Sequence, residues 1–120
     1  MIAVIFEVDL AEGRMDQYLA LAAALRGELE AIDGFLSVER FQSTSVPNRM
    51  VSLSFFRDEQ AVQQWRNTTA HRATQARGRA GVFASYRLRV ASVIRDYGME
   101  DRYEAPADSL TAHSSIQQRI

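Results

Sequence analysis

Residues 50–66 read MVSLSFFRDEQAVQQWR and join a strand directly to a helix. The run from Met50 to Arg57 is rich in apolar and aromatic side chains, which favours a β-strand. Asp58 is a preferred helix N-cap, and apolar residues follow it at helical spacing at Ala61, Val62 and Trp65. The stretch therefore predicts a strand that leads at once into a short helix.

The chain before this stretch contains two further strands and one helix. Residues 2–8 alternate with apolar side chains on both faces, which is typical of a central strand that is covered on both sides. From residue 14 to about residue 31 the apolar spacing becomes helical, and Asp33-Gly34 ends the helix. Residues 35–42 form a strand that the loop STSVPN joins to the strand at 50–57 as a hairpin.

The chain after residue 66 predicts one more helix and one more strand. A helical segment runs from about residue 68 to residue 80 and ends near Gly78 or Gly81, and residues 86–95 alternate again. The order of elements is therefore β-α-β-β-α-β, the ferredoxin-like arrangement of an α+β protein with an antiparallel sheet.

We expect residues 1–98 to form this domain, because the periodic pattern ends there. Residues 99–120 are a polar C-terminal tail without a clear period. The tail either hangs loose or wraps a partner subunit.

The helices of such a fold cover only one face of the sheet. Apolar residues nevertheless point to both faces of several strands, as indicated by Ile5, Val51, Leu53, Phe55 and Val93. An exposed apolar sheet of this size is an association surface. We therefore expect a homodimer whose two sheets pack face to face and close into a dimeric α/β barrel.

Composition excludes several classes of function. The net charge of −1 provides no electrostatic footprint for a nucleic acid. The N-terminus lacks the features of a signal peptide, and no segment approaches the roughly 20 apolar residues of a membrane span, so a cytoplasmic protein is expected. The absence of cysteine excludes disulfides and a thiol nucleophile. His71 and His113 lie too far apart in sequence to suggest a protein metal site.

Residues 65–79, WRNTTAHRATQARGR, contain the best candidates for a reaction site. On one continuous helix, Trp65 and His71 would lie about 240° apart and could not share a face. The cap-forming residues Asn67, Thr68 and Thr69 permit a break that would bring the two rings together. A neutral imidazole beside an indole in a partly dry pocket is a suitable proton acceptor.

The same residues also fit an ordinary helix packed on a sheet. Trp65 lies on an apolar stripe, which is typical of a core residue, and His71 could be a surface or cap residue with one hydrogen bond. Gln75 lies on the stripe that contains His71 and could orient a polar ligand, or could be solvated. Gly78 permits a close approach of backbone or ligand, or simply loosens the end of the helix.

The strand order, together with SFFRDEQAVQQWRNTTAHRATQARGRAGVFASYRLRVASVIRDYG over residues 54–98, resembles the antibiotic biosynthesis monooxygenase superfamily. The resemblance covers roughly residues 1–98 and rests on an acidic helix start, a tryptophan and a following His-Arg. It implies a small dimeric α+β barrel with a ligand cavity between the sheet and the helices. Since the fold hosts several activities, it identifies the fold better than the substrate.

This resemblance implies a cofactor-independent monooxygenase that uses O2 on an aromatic, polyketide or quinol-like molecule. Trp65 would line the cavity, and His71 would be the catalytic base or an orienting donor. Asn67 and Tyr86 are further candidates for substrate binding by their location, and Gln75 joins them from the helix stripe. A different class of function, a dimer that binds a small hydrophobic ligand without turnover, stays open.

The resemblance also includes a heme-degrading branch. That branch uses an asparagine on the first strand, a tryptophan and a heme-ligating histidine on the later helix. Trp65 matches, but the asparagine position falls on Phe6 and the ligand position on Gln75. We therefore expect no heme; heme binding through His71 is the lesser alternative.

Overall fold

The computed structural model describes the backbone of residues 1–117 and the side chains of residues 1–69 and 71–113. The chain forms strands β1 (Ile2–Leu10), β2 (Phe35–Gln42), β3 (Arg49–Phe56) and β4 (Phe83–Ser92), and helices α1 (Met15–Glu30), α2 (Glu59–Arg66), α3 (Thr69–Arg77) and α4 (Ala107–Gln117). Along the chain the order is β1-α1-β2-β3-α2-α3-β4-α4. This confirms the predicted β-α-β-β-α-β order, with α2 and α3 together in the place of the second helix. The last strand begins earlier than predicted, at Phe83.

The four strands form one antiparallel sheet in the order β2-β3-β1-β4. β1 is central, as predicted, and pairs with β3 on one side and β4 on the other. Two clusters of buried residues lie between the sheet and the helices. One consists of Val8, Leu10, Tyr18, Met50 and Val82, and the other of Leu29, Phe56, Ala61 and Val62.

The opposite face of the sheet is not covered by any described helix of this chain. Phe56 belongs to the core under the helices, so the alternation of β3 directs Val51, Leu53 and Phe55 to the other face. Phe41, which pairs in register with Val51, is 46% exposed. The chain thus leaves apolar side chains partly exposed across the middle of this sheet face, and Phe41 at its edge strand is the most exposed of them.

One part of this open face is charged and internally paired. The guanidinium of Arg49 lies 2.8 Å from the carboxylate of Asp9 and 3.2 Å from that of Glu7, and Arg89 lies 3.1 Å from Glu7. Arg89 of β4 thus pairs with Glu7 of the neighbouring strand β1. Pairing lets these charges lie beside an apolar surface at a lower cost of desolvation.

The C-terminal tail contains a helix that the sequence pattern did not predict. The Arg102 guanidinium stabilises the segment before α4, donating to the Gly98 carbonyl at 3.0 Å and to the Ser109 hydroxyl at 2.8 Å. Leu110, on α4, remains 43% exposed. An apolar stripe arises where a helix packs on a core, and α4 has no core of this chain beneath it, so its sequence lacks a clear period.

Gly78 allows an aromatic ring to pack against the end of α3. The residue is buried at the start of a π-helical turn, Gly78–Val82, and the ring of Phe83 occupies the space that a Cβ at position 78 would need. A close approach is thus the role of this glycine.

We expect Gly78→Ala to lower the free energy of unfolding by about 1–3 kcal/mol, because the Phe83 ring would have to move. Gly27→Ala is the matched control, since Gly27 is exposed in the last turn of α1 with no atom near its absent Cβ. That control should gain up to about 1 kcal/mol from helix propensity. Urea unfolding compares the two, and equal stability of both variants would contradict the packing described.

Candidate active site

A cavity of about 190 Å³ lies between the helices and the covered face of the sheet. Most of its wall is apolar. It is lined by side chains of the sheet (Val4, Phe6, Val38, Arg40, Ser52, Ser54, Phe83, Tyr86, Leu88, Val90), of α1 (Tyr18, Leu21, Ala22, Leu25, Leu29) and of the α2–α3 segment and its end (Val62, Trp65, Arg66, His71, Thr74, Gln75, Arg79). A largely apolar hollow with a few polar groups is the usual form of a small-molecule site. This one is open along β4, where Tyr86, Leu88 and Val90 are 44%, 48% and 48% exposed.

Thr68 sets the break between α2 and α3. Its hydroxyl donates to the Trp65 carbonyl at 3.0 Å and accepts from the His71 backbone N–H at 3.2 Å, so it ends one helix and caps the next. The break that the sequence permits is therefore present. As a result, the rings of Trp65 and His71 lie 4.8 Å apart, centroid to centroid, in an edge-to-face contact at 62°.

His71 is a partly buried imidazole in the cavity wall, and its surroundings favour the neutral ring. Burial removes hydration from the imidazolium and lowers the pKa of His71 below its ordinary value of 6.5, and the positive charges of Arg72 and Arg66 lower it further. Its Nδ1 atom is buried and has no hydrogen-bond partner among the described residues. At neutral pH the ring is therefore mostly uncharged, and it forms part of the cavity wall.

A second polar group enters the cavity from the sheet. Arg40 of β2 lines the wall near the phenol of Tyr18, which is buried on α1. Burial raises the pKa of Tyr18, while the charge of Arg40 opposes that rise. The tyrosine is thus a neutral hydroxyl, and the arginine is a cation set in a largely apolar wall.

The cavity brings together four of the five residues proposed from the sequence: Trp65, His71, Gln75 and Tyr86. Asn67 is not among its lining residues. Asn67 ends α2, and its side-chain oxygen accepts from the Arg72 guanidinium at 2.9 Å on the exposed side of the helix.

Sequence reasoning did not identify Arg40 and Tyr18. The signal for Arg40 was present, because the alternation of β2 places it on the same face as Val38, which packs on the core. Tyr18 lies on the apolar stripe of α1, where a phenol is difficult to distinguish from a purely apolar core residue.

The wall of the cavity includes the two positions that the resemblance relates to functional residues of the heme-degrading branch, and it also includes His71. Phe6 and Gln75 both line its wall, at the positions where that branch has its asparagine and its iron ligand. Neither side chain belongs to the kinds that hold heme iron in proteins. Among residues 1–117, moreover, no three histidine or acidic side chains are placed to hold a metal ion. No helix in that range is long and apolar enough to cross a membrane.

Comparison with protein families and curated proteins gives concordant results. A family model described as antibiotic biosynthesis monooxygenase matches residues 1–77. The chain is 46% identical over 93 residues to the jasmonate monooxygenase ABM of Pyricularia oryzae, covering 78% of this chain and 43% of that protein. It is 36% identical over 62 residues to the uncharacterized protein YqjZ of Bacillus subtilis, covering 52% of this chain and 53% of that protein. The chain therefore spans about half the length of these curated relatives.

Solved structures of the same fold include Rv0793 from Mycobacterium tuberculosis, with a TM-score of 0.72 at 18% identity over 81% of this chain and 98% of that one. A variant of SnoaB, a cofactor-independent oxygenase from Streptomyces nogalater, superposes with a TM-score of 0.70 at 9% identity over 79% and 94% of the two chains. At 18% and 9% sequence identity, these superpositions establish the fold alone. They confirm the predicted α+β class.

Proposed function

Because the chain belongs to the antibiotic biosynthesis monooxygenase family, we propose that it oxygenates a small, largely apolar molecule with O2 and without a bound cofactor. The observation that carries this proposal is the contact between Trp65 and His71 in the cavity wall. It places a neutral proton acceptor beside a flat apolar surface, which suits an aromatic or quinol-like substrate.

In the proposed reaction, His71 takes a proton from a carbon or hydroxyl group that the substrate's own carbonyl or ring makes acidic. The resulting electron-rich anion reduces O2 directly and forms a carbon–oxygen bond. When a CH2 group becomes C=O, substrate and O2 give the oxidised product and one water molecule. The substrate supplies all four electrons, so the balance requires no external reductant.

The identity of the relative from Pyricularia oryzae widens the range of substrates to test. That protein is named a jasmonate monooxygenase, and this chain covers less than half of it. We therefore place jasmonate beside hydroquinone and anthrone as a candidate. All three carry an apolar ring system of a size to contact Trp65.

Binding without turnover is the second candidate function. A cavity lined by apolar atoms alone would favour it. The cavity instead contains His71, with its unpartnered Nδ1 atom and its lowered pKa, and groups of this kind are enriched at reaction sites. These features favour the oxygenase.

The uncovered sheet face supports a homodimer as the working form. Ile5 and Leu53 pair across β1 and β3 in the middle of this face, and a second copy packed against it would remove them from water. The Glu7–Arg49 and Glu7–Arg89 ion pairs beside them would lie within or at the edge of the same interface.

We also propose that the tail contacts the partner subunit. The radius of gyration is 17.9 Å, against roughly 14 Å expected for a compact chain of this length. Ile94, Met99 and Tyr103 are 79%, 86% and 96% exposed. A second copy would provide the surface that these side chains lack within one chain.

Oxygen uptake by the purified protein, treated with a chelator and supplied with no flavin or heme, tests the proposed activity. We expect uptake with at least one of the three substrates, together with a change in the fluorescence of Trp65, the single tryptophan of the chain. Added hemin should produce no Soret shift. No uptake and no fluorescence change with any substrate would remove the proposal, and a Soret shift lost in His71→Ala would favour heme binding instead.

A further inference from the structure

The charged residues of the cavity are all of one sign. Its lining includes Arg40, Arg66 and Arg79, and no aspartate or glutamate. None of the three arginines forms an ion pair with another residue of the described chain. Because His71 is neutral near pH 7, the cavity has a net positive charge inside a largely apolar wall. Such a site favours an anionic ligand.

Arg40 differs from the other two arginines in its surroundings. Arg66 and Arg79 are exposed, so water hydrates them, whereas Arg40 is partly buried on the sheet. Its Nε atom is buried and has no hydrogen-bond partner in the described residues. A buried N–H without an acceptor is destabilising, and native proteins rarely keep one without a reason. The Arg40 side chain also lines the cavity and hydrogen-bonds Tyr18 there, so its guanidinium is the cationic donor that a ligand in the cavity would meet.

The neighbours of Arg40 complete a polar corner in the cavity. Ser52 is its cross-strand partner in the β2–β3 register and also lines the cavity, so its hydroxyl lies on the same face. Tyr18 adds a phenol that stays protonated, because burial raises its pKa. A guanidinium beside two hydroxyl donors matches a carboxylate, which accepts two parallel hydrogen bonds from arginine.

This corner and the proposed base border different parts of the core. Tyr18 belongs to the cluster around Val8 and Met50, whereas Trp65 packs on the cluster around Leu29 and Phe56. Both groups line the same, largely apolar cavity. A ligand with its anionic head at Arg40 would therefore have its apolar body in the cavity that Trp65 and His71 also line.

We propose that Arg40 binds the carboxylate of the substrate, so that the chain acts on small amphipathic acids with an apolar body and one anionic head. This inference rests on the proposed function for the identity of the cavity as the substrate site. It adds the chemical class of the substrate, which the aromatic and quinol-like candidates do not specify.

Jasmonate and its methyl ester test the proposal, because the two differ in the charge of one group. Titration followed by Trp65 fluorescence measures binding without requiring turnover. We expect wild-type protein to bind the acid about 10–100-fold more tightly than the ester. Arg40→Met should lose this preference while still binding the ester, and Arg40→Lys should retain part of it, since it keeps the charge without the fork of donors.

Arg77→Met is the matched control, because it removes an exposed arginine of α3 that does not line the cavity, and it should keep the preference for the acid. Arg40→Met also loses the hydrogen bond to Tyr18, so thermal unfolding is measured beside the titration to establish that the variant is folded. Equal binding of acid and ester by wild type, or an unchanged preference in Arg40→Met, would overturn the role of Arg40 but leave the cavity as the proposed substrate site. Failure of both ligands to change Trp65 fluorescence would overturn this inference and the placement of the substrate site together.

Discussion

Replacement of His71 by asparagine is expected to lower kcat for oxygen consumption by about 10²–10⁴-fold while leaving KM nearly unchanged. A general base acts only as the proton moves, so its loss affects the transition state more than substrate binding. Asparagine keeps a polar side chain of similar size beside Trp65, which preserves the wall of the cavity. Steady-state oxygen uptake at several substrate concentrations separates the two constants.

His113→Asn provides the control for this substitution. His113 is the only other histidine of the chain, and it is exposed on α4. We expect this variant to keep the wild-type kcat. A kcat for His71→Asn within a few-fold of wild type would remove His71 from the reaction, and a rise in KM alone would make it a binding residue.

Leu53→Asp is expected to convert the proposed dimer into monomers at micromolar concentration. Burial of a leucine contributes about 1.5–3 kcal/mol, and a twofold interface presents each residue twice. The loss therefore exceeds about 3 kcal/mol before the cost of burying the new charges, which corresponds to a rise in Kd of more than about 100-fold. Sedimentation velocity gives the mass directly.

Leu19→Asp is the matched control, since Leu19 is 42% exposed on α1, away from the uncovered sheet face. It should remain a dimer. If Leu53→Asp unfolds, Phe41→Asp tests the same interface, because Phe41 is an exposed residue of the uncovered face. Monomeric wild-type protein, or dimers in both variants of this face, would contradict the face-to-face arrangement. A Tyr103→Ser variant with a raised Kd would support contact of the tail with the partner.

The order of elements was accessible from the sequence because each element has a local cause. Alternation in residues 2–8 and 86–95 and the N-cap at Asp58 act within a few residues, and the structure contains a strand at each alternating segment and the cap at Asp58. Helix α4 was not accessible, because its formation depends on local hydrogen bonds around Arg102 and not on a periodic apolar stripe.

The site was only partly accessible, for a physical reason. The contact of Trp65 with His71 depends on one cap at Thr68, and cap-forming residues are visible in sequence. The corner around Arg40 is formed by α1, β2 and β3, so it exists only after the chain folds. Asn67 illustrates the converse: its closeness to Trp65 in sequence suggested the cavity, but the end of α2 directs it to Arg72.

The central claim is that an uncharged His71 takes the proton from the substrate, and the pH dependence of kcat/KM tests it most directly. Because burial lowers the pKa of His71, the base stays active below pH 6.5 and is lost only when it becomes protonated. We predict that kcat/KM falls as the pH is lowered, with a midpoint below pH 6.5. This acid limb of the pH profile should disappear in His71→Asn. An identical acid limb in both proteins, or a wild-type midpoint above 6.5, would contradict the account.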